Sequence, residues 1–182
     1  MSQDDYIDIL DYYVKLGIVS IIDWPYVQAQ ISAYKDCIEK YRSESQWIGF
    51  IDIDEFIVPI KYNNIFDFLK QKNQYGSVLL HWKIFGSNGL KDRDINGLVT
   101  EDFIACWSKL SDVGRCFYNT RYKISKDDNL NKCLHHILWT EVDHHDIPPI
   151  DCFNNYCECD MKLEGSQVYE IQINHYVTKS LS

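Results

Sequence analysis

Three carboxylates lie within four positions of an otherwise apolar stretch, at Asp52, Asp54 and Glu55. The flanking residues, 47–51 and 56–59, are hydrophobic apart from one glycine and one proline. Burying such charges without partners is costly, so a neighbouring cation or ligand is expected. Carboxylate oxygens suit Mg²⁺ or Mn²⁺, and such an ion can hold a diphosphate and neutralise its charge as it leaves. The cluster therefore predicts a divalent-cation site for a phosphorylated ligand.

The residues of this cluster also allow a second interpretation. An acidic strand end can cap a neighbouring helix or pair with an arginine or lysine. The Asp-x-Asp pattern is weak by itself, because it recurs at Asp92 and Asp94, in a polar stretch that is typical of a solvated loop. Spacing alone leaves both interpretations of the first cluster open.

The hydrophobic pattern predicts the elements that would position these carboxylates. A β-branched strand at 18–22, a helical stripe over 27–41 and an apolar strand at 47–53 would form a βαβ unit with a right-handed crossover. A nearly continuous apolar strand favours a parallel sheet that is covered on both faces. Asp52 and Asp54 would then point to the same side of an extended chain, at the strand end where open α/β sheets bind ligands.

The rest of the chain supports an α/β fold with one domain over residues 1–182. An amphipathic helix over 4–16 is expected to end at Gly17, and a short helix is expected over 65–69. The remaining predictions are strands at 77–85, 130–139 and 168–176, a turn at 86–89 and a loop over 143–160.

Composition excludes several classes of protein. Hydrophobic residues make up 46% of the sequence and aromatic residues 14%, which is typical of a globular domain. The net charge of −9 argues against a general nucleic-acid binder. No apolar run is long enough to span a bilayer, and the N-terminus lacks a signal peptide, so a cytoplasmic protein, or one peripheral to a membrane, is expected. Seven scattered cysteines favour reduced thiols.

The stretch Trp47-Ile-Gly-Phe-Ile-Asp-Ile-Asp-Glu-Phe-Ile57 resembles the acidic motif of glycosyltransferase family 92. Other segments resemble the family in the same order along nearly the whole chain. They are Gly17-Ile-Val with Asp23-Trp-Pro25, Gln30 with Tyr34 and Asp36-Cys37, Trp82-Lys-Ile-Phe-Gly-Ser-Asn-Gly89, Gly97-Leu-Val-Thr-Glu101, Lys132, and Ile173-Asn-His-Tyr-Val-Thr-Lys-Ser180.

The resemblance implies a GT-A-like (Rossmann-like) mixed sheet flanked by helices. It implies inverting transfer of a sugar from a nucleotide-sugar donor, a UDP-sugar first among them, to a glycan hydroxyl. By the same similarity, Asp52 and Asp54 would bind Mn²⁺ or Mg²⁺ and the diphosphate, and His175 would complete the metal shell. A hydrogen-bonded strand histidine is the alternative for His175.

The resemblance leaves other roles to be filled. A base must take the proton of the acceptor hydroxyl, and Glu101 and Asp102 are the candidates. An ordinary helix N-terminal acid is the alternative for both. Trp82 would stack on a sugar or serve as a core residue. Lys132 and Lys179 would meet phosphate or lie on the surface.

The sequence departs from the family at its start, because residues 4–17 already look like the helix that follows the nucleotide-binding strands. A partial, N-terminally truncated GT-A domain is therefore expected, and a non-catalytic remnant or binding module is the main alternative. A glycoside hydrolase using two carboxylates is a weaker rival. A structural zinc site would use residues crowded in the last third: His135, His136, His144, His145, Cys152, Cys157 and Cys159.

Overall fold

The structure is a computed structural model that describes residues 6–27, 29–87, 89–90, 97–127, 135–158 and 169–177. Its helices are α1 (Tyr6–Lys15), α2 (Gln30–Tyr41), α3 (Ile65–Lys70) and α4 (Val99–Asp102). Its strands are β1 (Trp47–Gly49), β2 (Glu55–Pro59), β3 (Ser77–Gly86), β4 (Ala105–Cys106), β5 (Gly114–Asn119), β6 (Lys123–Ile124), β7 (Thr140–Val142), β8 (His145–Ile147) and β9 (Ile171–His175). None of the helices in these ranges is both long and apolar enough to cross a bilayer.

The strands form one large mixed sheet and one small one. The large sheet has the order β1-β5-β3-β9-β2, and β4 pairs with the end of β3. Among the described strands, β3 and β9 pair in parallel, while every other named pair is antiparallel. The small sheet has the order β6-β7-β8. The α/β class is confirmed, but the prediction of a parallel sheet is wrong for all pairs except β3 and β9.

The predicted βαβ unit is absent because its first strand does not form. Residues 18–22 lie outside any strand, and the side chains of Ile18, Ile21 and Ile22 are exposed. β-branched residues favour a strand only when a neighbouring strand and a face to cover are available. Without that strand, no crossover sets the direction of β1, which instead pairs antiparallel with β5.

The predicted strand at 47–53 is also too long. β1 ends at Gly49, and the chain then turns before β2 begins at Glu55. The Glu55 N–H donates to the Asp52 carbonyl at 3.0 Å, which closes this turn. The acidic residues therefore lie between two strands, rather than at the end of one.

Several other predictions are confirmed. The helices expected at 4–16, 27–41 and 65–69 correspond to α1, α2 and α3, and the strand expected at 77–85 is β3. The strand expected at 168–176 is β9, although residue 168 is outside the described part. The loop over 143–160 contains the short strand β8.

The prediction of a strand at 130–139 is wrong for its described part, residues 135–139. Residues 130–134 are outside the described part, and 135–139 carry no strand. This segment bonds to two different elements: the His135 carbonyl accepts from Cys116 in β5, and the Trp139 carbonyl accepts from Ser125 beyond β6. A strand would need a continuous ladder to a single neighbour.

The large sheet has a hydrophobic cluster on each face. Val78 and Leu80 of β3 join the cluster that contains Phe68, Ile171 and Ile173, whereas Leu79 joins the one that contains Ile38 and Tyr118. Adjacent strand residues point to opposite faces, which separates the two clusters. Arg115 lies opposite Leu80, and His175 is two residues beyond Ile173, so both belong on the face of Val78 and Leu80.

Candidate functional site

The acidic residues 52–55 form a turn with a fixed shape. In addition to the bond that closes the turn, the Asp52 N–H donates to Glu55 Oε2 at 3.0 Å. Ile53 occupies the tip and is 96% exposed. The chain is not extended here, so strand alternation does not set the directions of Asp52 and Asp54. Asp52 contacts Arg115 and Asp54 faces His175.

Arg115 is the cation that two of the three acids contact. It is 2% exposed, and its Nε–H donates to Glu55 Oε1 at 3.0 Å and to Oε2 at 2.8 Å. One of its terminal nitrogens also donates to Asp52. Glu55 is itself buried, and an unpaired charge in its place would be strongly destabilising. Pairing with an arginine, the alternative interpretation of the cluster, is therefore present in the structure.

Sequence reasoning missed both members of this ion pair as site residues. Glu55 is the third acid of the cluster, but the family resemblance implies a role only for Asp52 and Asp54. Arg115 is the single charged residue in the strand Gly114–Asn119, all six residues of which are buried. A lone charge within a buried strand needs a partner, and this was the signal that could have identified it.

His175 faces Asp54 and Glu55 across two paired strands. Its register partner in β2 is Glu55, and its Nε2 lies 3.7 Å from Asp54 Oδ1 and 3.8 Å from Glu55 Oε1. Both distances are too long for a hydrogen bond. Its Nδ1 is buried without a hydrogen-bond partner. The Nε2 of His175 and the Oδ1 of Asp54 thus face each other at a distance that two ligands of one bound ion could have.

Trp82 packs against both His175 and Arg115. Its ring centroid lies 4.5 Å from that of His175, and the Arg115 guanidinium lies 5.1 Å from the Trp82 ring centroid. A cation over an indole face is attracted by the ring quadrupole. In this arrangement Trp82 holds the two basic groups in place, and sugar stacking on Trp82 remains a prediction.

A row of imidazole and aromatic rings extends from Trp82 to Tyr34 on α2. His136 lies 5.1 Å from Trp82 and 4.1 Å from His135, which in turn lies 5.3 Å from Tyr34, all measured between centroids. Burial raises the pKa of Tyr34, and the charges of Asp52 and Glu55 raise it further. The Tyr34 ring also stacks on that of Phe50 with 4.0 Å between centroids, so α2 packs against the segment that leads into the acidic turn.

The candidate base residues lie on a different element. Glu101 and Asp102 lie on α4, whose chain continues into β4 beside the end of β3. An open cleft of about 390 Å³ lies at this end, lined in part by Ile84, Cys106 and Trp107. Ile84 is the register partner of His175, so the cleft adjoins the acidic site. Lys132, Lys179, Asp92 and Asp94 lie outside the described residues.

The cation site of Asp52, Asp54 and His175 stays a prediction, and the ligand atoms of these three residues do not all lie within 4.8 Å of one another. Within the described ranges, one set of three ligand-type side chains has all its ligand atoms within 4.8 Å of one another: His81, Asp151 and Cys157. The residues of the zinc alternative are spread apart. His135 and His136 lie beside Trp82, His144 and His145 are exposed on the β7–β8 hairpin, and Cys159 is outside the described part.

Comparison with known proteins gives a consistent result. Residues 1–176 match the family model described as glycosyltransferase family 92. The chain is 28% identical over 102 residues to a glycosyltransferase family 92 protein of Ricinus communis, covering 53% of this chain and 18% of that protein. It is 23% identical over 137 residues to one of Caenorhabditis elegans, covering 63% of this chain and 26% of that protein. The chain thus spans about a quarter or less of the length of these relatives.

Proposed function

This chain belongs to glycosyltransferase family 92, and on that premise we propose that it transfers a sugar from a nucleotide-sugar donor to a glycan hydroxyl. We place the donor phosphates at the turn of residues 52–55 and take a UDP-sugar as the first donor to test. The proposal includes a GT-A-like arrangement, which the parallel pair β3–β9 and the acidic turn beside it support.

The facing pair of Asp54 and His175 carries this proposal. The side chains are partly buried, and their nearest atoms are 3.7 Å apart with no hydrogen bond between them. A carboxylate and an imidazole are compatible ligands for Mn²⁺. The pair fits a divalent cation, and Asp54 and His175 are the residues that would hold it. When bound, the cation would neutralise the charge of a leaving diphosphate.

Asp52 and Glu55 have a different role in this proposal. Arg115 donates hydrogen bonds to both, and its single positive charge offsets one of their two negative charges, so these contacts hold the shape of the turn without requiring the cation for that purpose. The Asp52 side chain is 43% exposed, which leaves it accessible to a ligand on its solvent side. The Nη1 of Arg115 is buried without a hydrogen-bond partner. Arg115 therefore acts as a positioning residue that sets the direction of Asp52.

The acceptor is placed in the cleft beside the acidic turn. Trp107 is exposed at the rim of this cleft, and aromatic rings pack well against the apolar face of a sugar. Glu101 or Asp102 would take the proton of the acceptor hydroxyl as its oxygen attacks the anomeric carbon and the nucleotide diphosphate leaves. Lys132 would contact the donor phosphates.

Donor binding tests the proposal directly. Calorimetry with Mn²⁺ and a panel of UDP- and GDP-sugars should show binding to at least one donor, and omission of Mn²⁺ should weaken it. Asp54→Asn should remove the Mn²⁺ dependence, whereas Asp143→Asn, at an exposed acid on the β7–β8 hairpin of the small sheet, should not. A folded protein that binds no donor would favour the non-catalytic binding module instead.

A further inference from the structure

We propose that His81, Asp151 and Cys157 form a structural zinc site, apart from the acidic turn and independent of the proposed transfer reaction. The ligand atoms of the three residues all lie within 4.8 Å of one another. Each residue is at most 3% exposed. Nitrogen, oxygen and sulfur donors of these types are those that zinc binds in proteins, and the three would fill three of its four tetrahedral positions and leave the fourth to a water molecule.

His81 is oriented as a ligand would be. It lies in β3, and its Nδ1 is 3.0 Å from the Ser111 carbonyl, which fixes the ring and leaves Nε2 for another partner. That Nε2 is buried and has no hydrogen-bond partner. Histidines that bind metal almost always donate their other ring N–H to a carbonyl or carboxylate. An orphaned imidazole nitrogen beside a carboxylate and a thiol is costly unless something fills the space between them.

Asp151 is held in place by its own loop. Its Oδ1 accepts from the N–H groups of Phe153 at 2.8 Å and Asn155 at 2.9 Å, and its Oδ2 accepts from Asn155 Nδ2 at 3.0 Å. Carboxylates that bind metal are commonly fixed by such second contacts. Oδ1 thus already accepts two hydrogen bonds, whereas Oδ2 accepts one and retains capacity for one more partner, so Oδ2 is the oxygen that can bind a metal.

Cys157 completes the set from the end of the same loop. Its N–H donates to the Pro149 carbonyl at 2.7 Å, which closes the loop on itself. Burial raises the pKa of the thiol to about 12, so without a metal it is a neutral thiol at pH 7. Zinc binding would release this proton to solvent and leave the thiolate as the ligand.

The site would join the 149–157 loop to the centre of the large sheet. Ile150 already bridges Val78 in parallel, and its carbonyl accepts from Leu79 at 2.7 Å. A metal bound to His81 would add a coordinate bond between this loop and β3, two residues beyond Leu79. The expected role is therefore stability of the sheet that carries Trp82 and Arg115.

Metal analysis of the purified full chain tests the proposal. We expect one equivalent of zinc, and replacement by Co²⁺ should give a thiolate-to-cobalt charge-transfer band. Cys157→Ser should lose that band and the bound zinc. Cys152→Ser, a matched buried cysteine in the same loop, should keep both. Mn²⁺ bound at the acidic turn gives no thiolate band, so the two sites are distinguished.

The wild-type protein alone can overturn the proposal. A folded wild-type chain that carries no zinc and gives no thiolate band with Co²⁺ would refute it, as would a Cys157→Ser protein that retains both. If Cys157→Ser does not fold, His81→Gln offers a second variant. The conclusion then rests on zinc content and on whether a chelator lowers the wild-type melting temperature, as we expect.

Discussion

Arg115 and Glu55 are 60 positions apart in sequence, yet the Arg115 Nε–H donates to both carboxylate oxygens of Glu55. The strands that carry them are not neighbours, because β3 and β9 lie between β5 and β2 in the sheet. The ion pair therefore connects β5 to β2 across the two strands that lie between them. It fixes the acidic turn to the centre of the sheet.

Loss of the guanidinium should strongly destabilise the fold. Arg115→Met leaves the buried Glu55 carboxylate without its partner, and breaking a buried ion pair in this way costs about 3–5 kcal/mol. Urea denaturation measures the change in the free energy of unfolding. Arg121→Met, at an exposed arginine two residues after β5, is the control and should change it by less than about 0.5 kcal/mol. Equal losses in the two variants would show that the ion pair is not the cause.

Asp54 and His175 should dominate the affinity for Mn²⁺. Asp54→Asn removes a charged ligand, and His175→Ala removes a nitrogen ligand. We expect each substitution to weaken Mn²⁺ binding at least as much as the loss of a residue that hydrogen-bonds to a metal ligand. Such a loss typically lowers the metal affinity about 10- to 100-fold. Titration followed by the Mn²⁺ electron paramagnetic resonance signal measures it.

Asp52→Asn should have a smaller effect, because that carboxylate already pairs with Arg115. Asp143→Asn, on the β7–β8 hairpin, should have no effect on the titration. A result in which Asp52→Asn abolishes binding while Asp54→Asn is harmless would place the cation elsewhere on the turn.

Two glycines allow the close packing around Arg115. A Cβ added at Gly114 would lie well under 3.0 Å from the Leu80 backbone carbonyl, and one at Gly49 would also lie under 3.0 Å from the Phe117 ring, though less close. Overpacking against a side chain costs about 1–3 kcal/mol, so Gly49→Ala should lose that amount. Gly114→Ala should lose more, because backbone cannot rotate away. Thermal denaturation ranks the two, and the reverse ranking would contradict the register of β3 and β5.

Thiol reactivity should follow burial. Among the described cysteines, Cys106 is exposed, whereas Cys116, Cys152 and Cys157 are buried. Burial raises the pKa of Cys152 to about 11, which leaves little thiolate at pH 7.5. Iodoacetamide labelling followed by peptide mass spectrometry should find Cys106 modified before Cys116, Cys152 and Cys157. Early labelling of Cys152 or Cys157 in the folded protein would contradict their burial.

Local features were predictable because they depend on neighbouring residues. The stripe over 27–41 gave α2, and the apolar run at 77–85 gave β3, since periodicity reports which face a segment buries. The strand at 18–22 failed for the complementary reason. β-branched residues there suit a strand, but nothing in the sequence reports whether another strand is present to pair with it.

The acidic cluster shows the same division most clearly. Residue types alone determined that Asp52, Asp54 and Glu55 need positive partners, and the order of motifs along the chain determined the family. Only the tertiary structure decided which partners they have. Asp52 and Glu55 pair with Arg115, and Asp54 faces His175. Those contacts join residues 60 or more positions apart, and they depend on strand order and register, which spacing within a single strand does not encode.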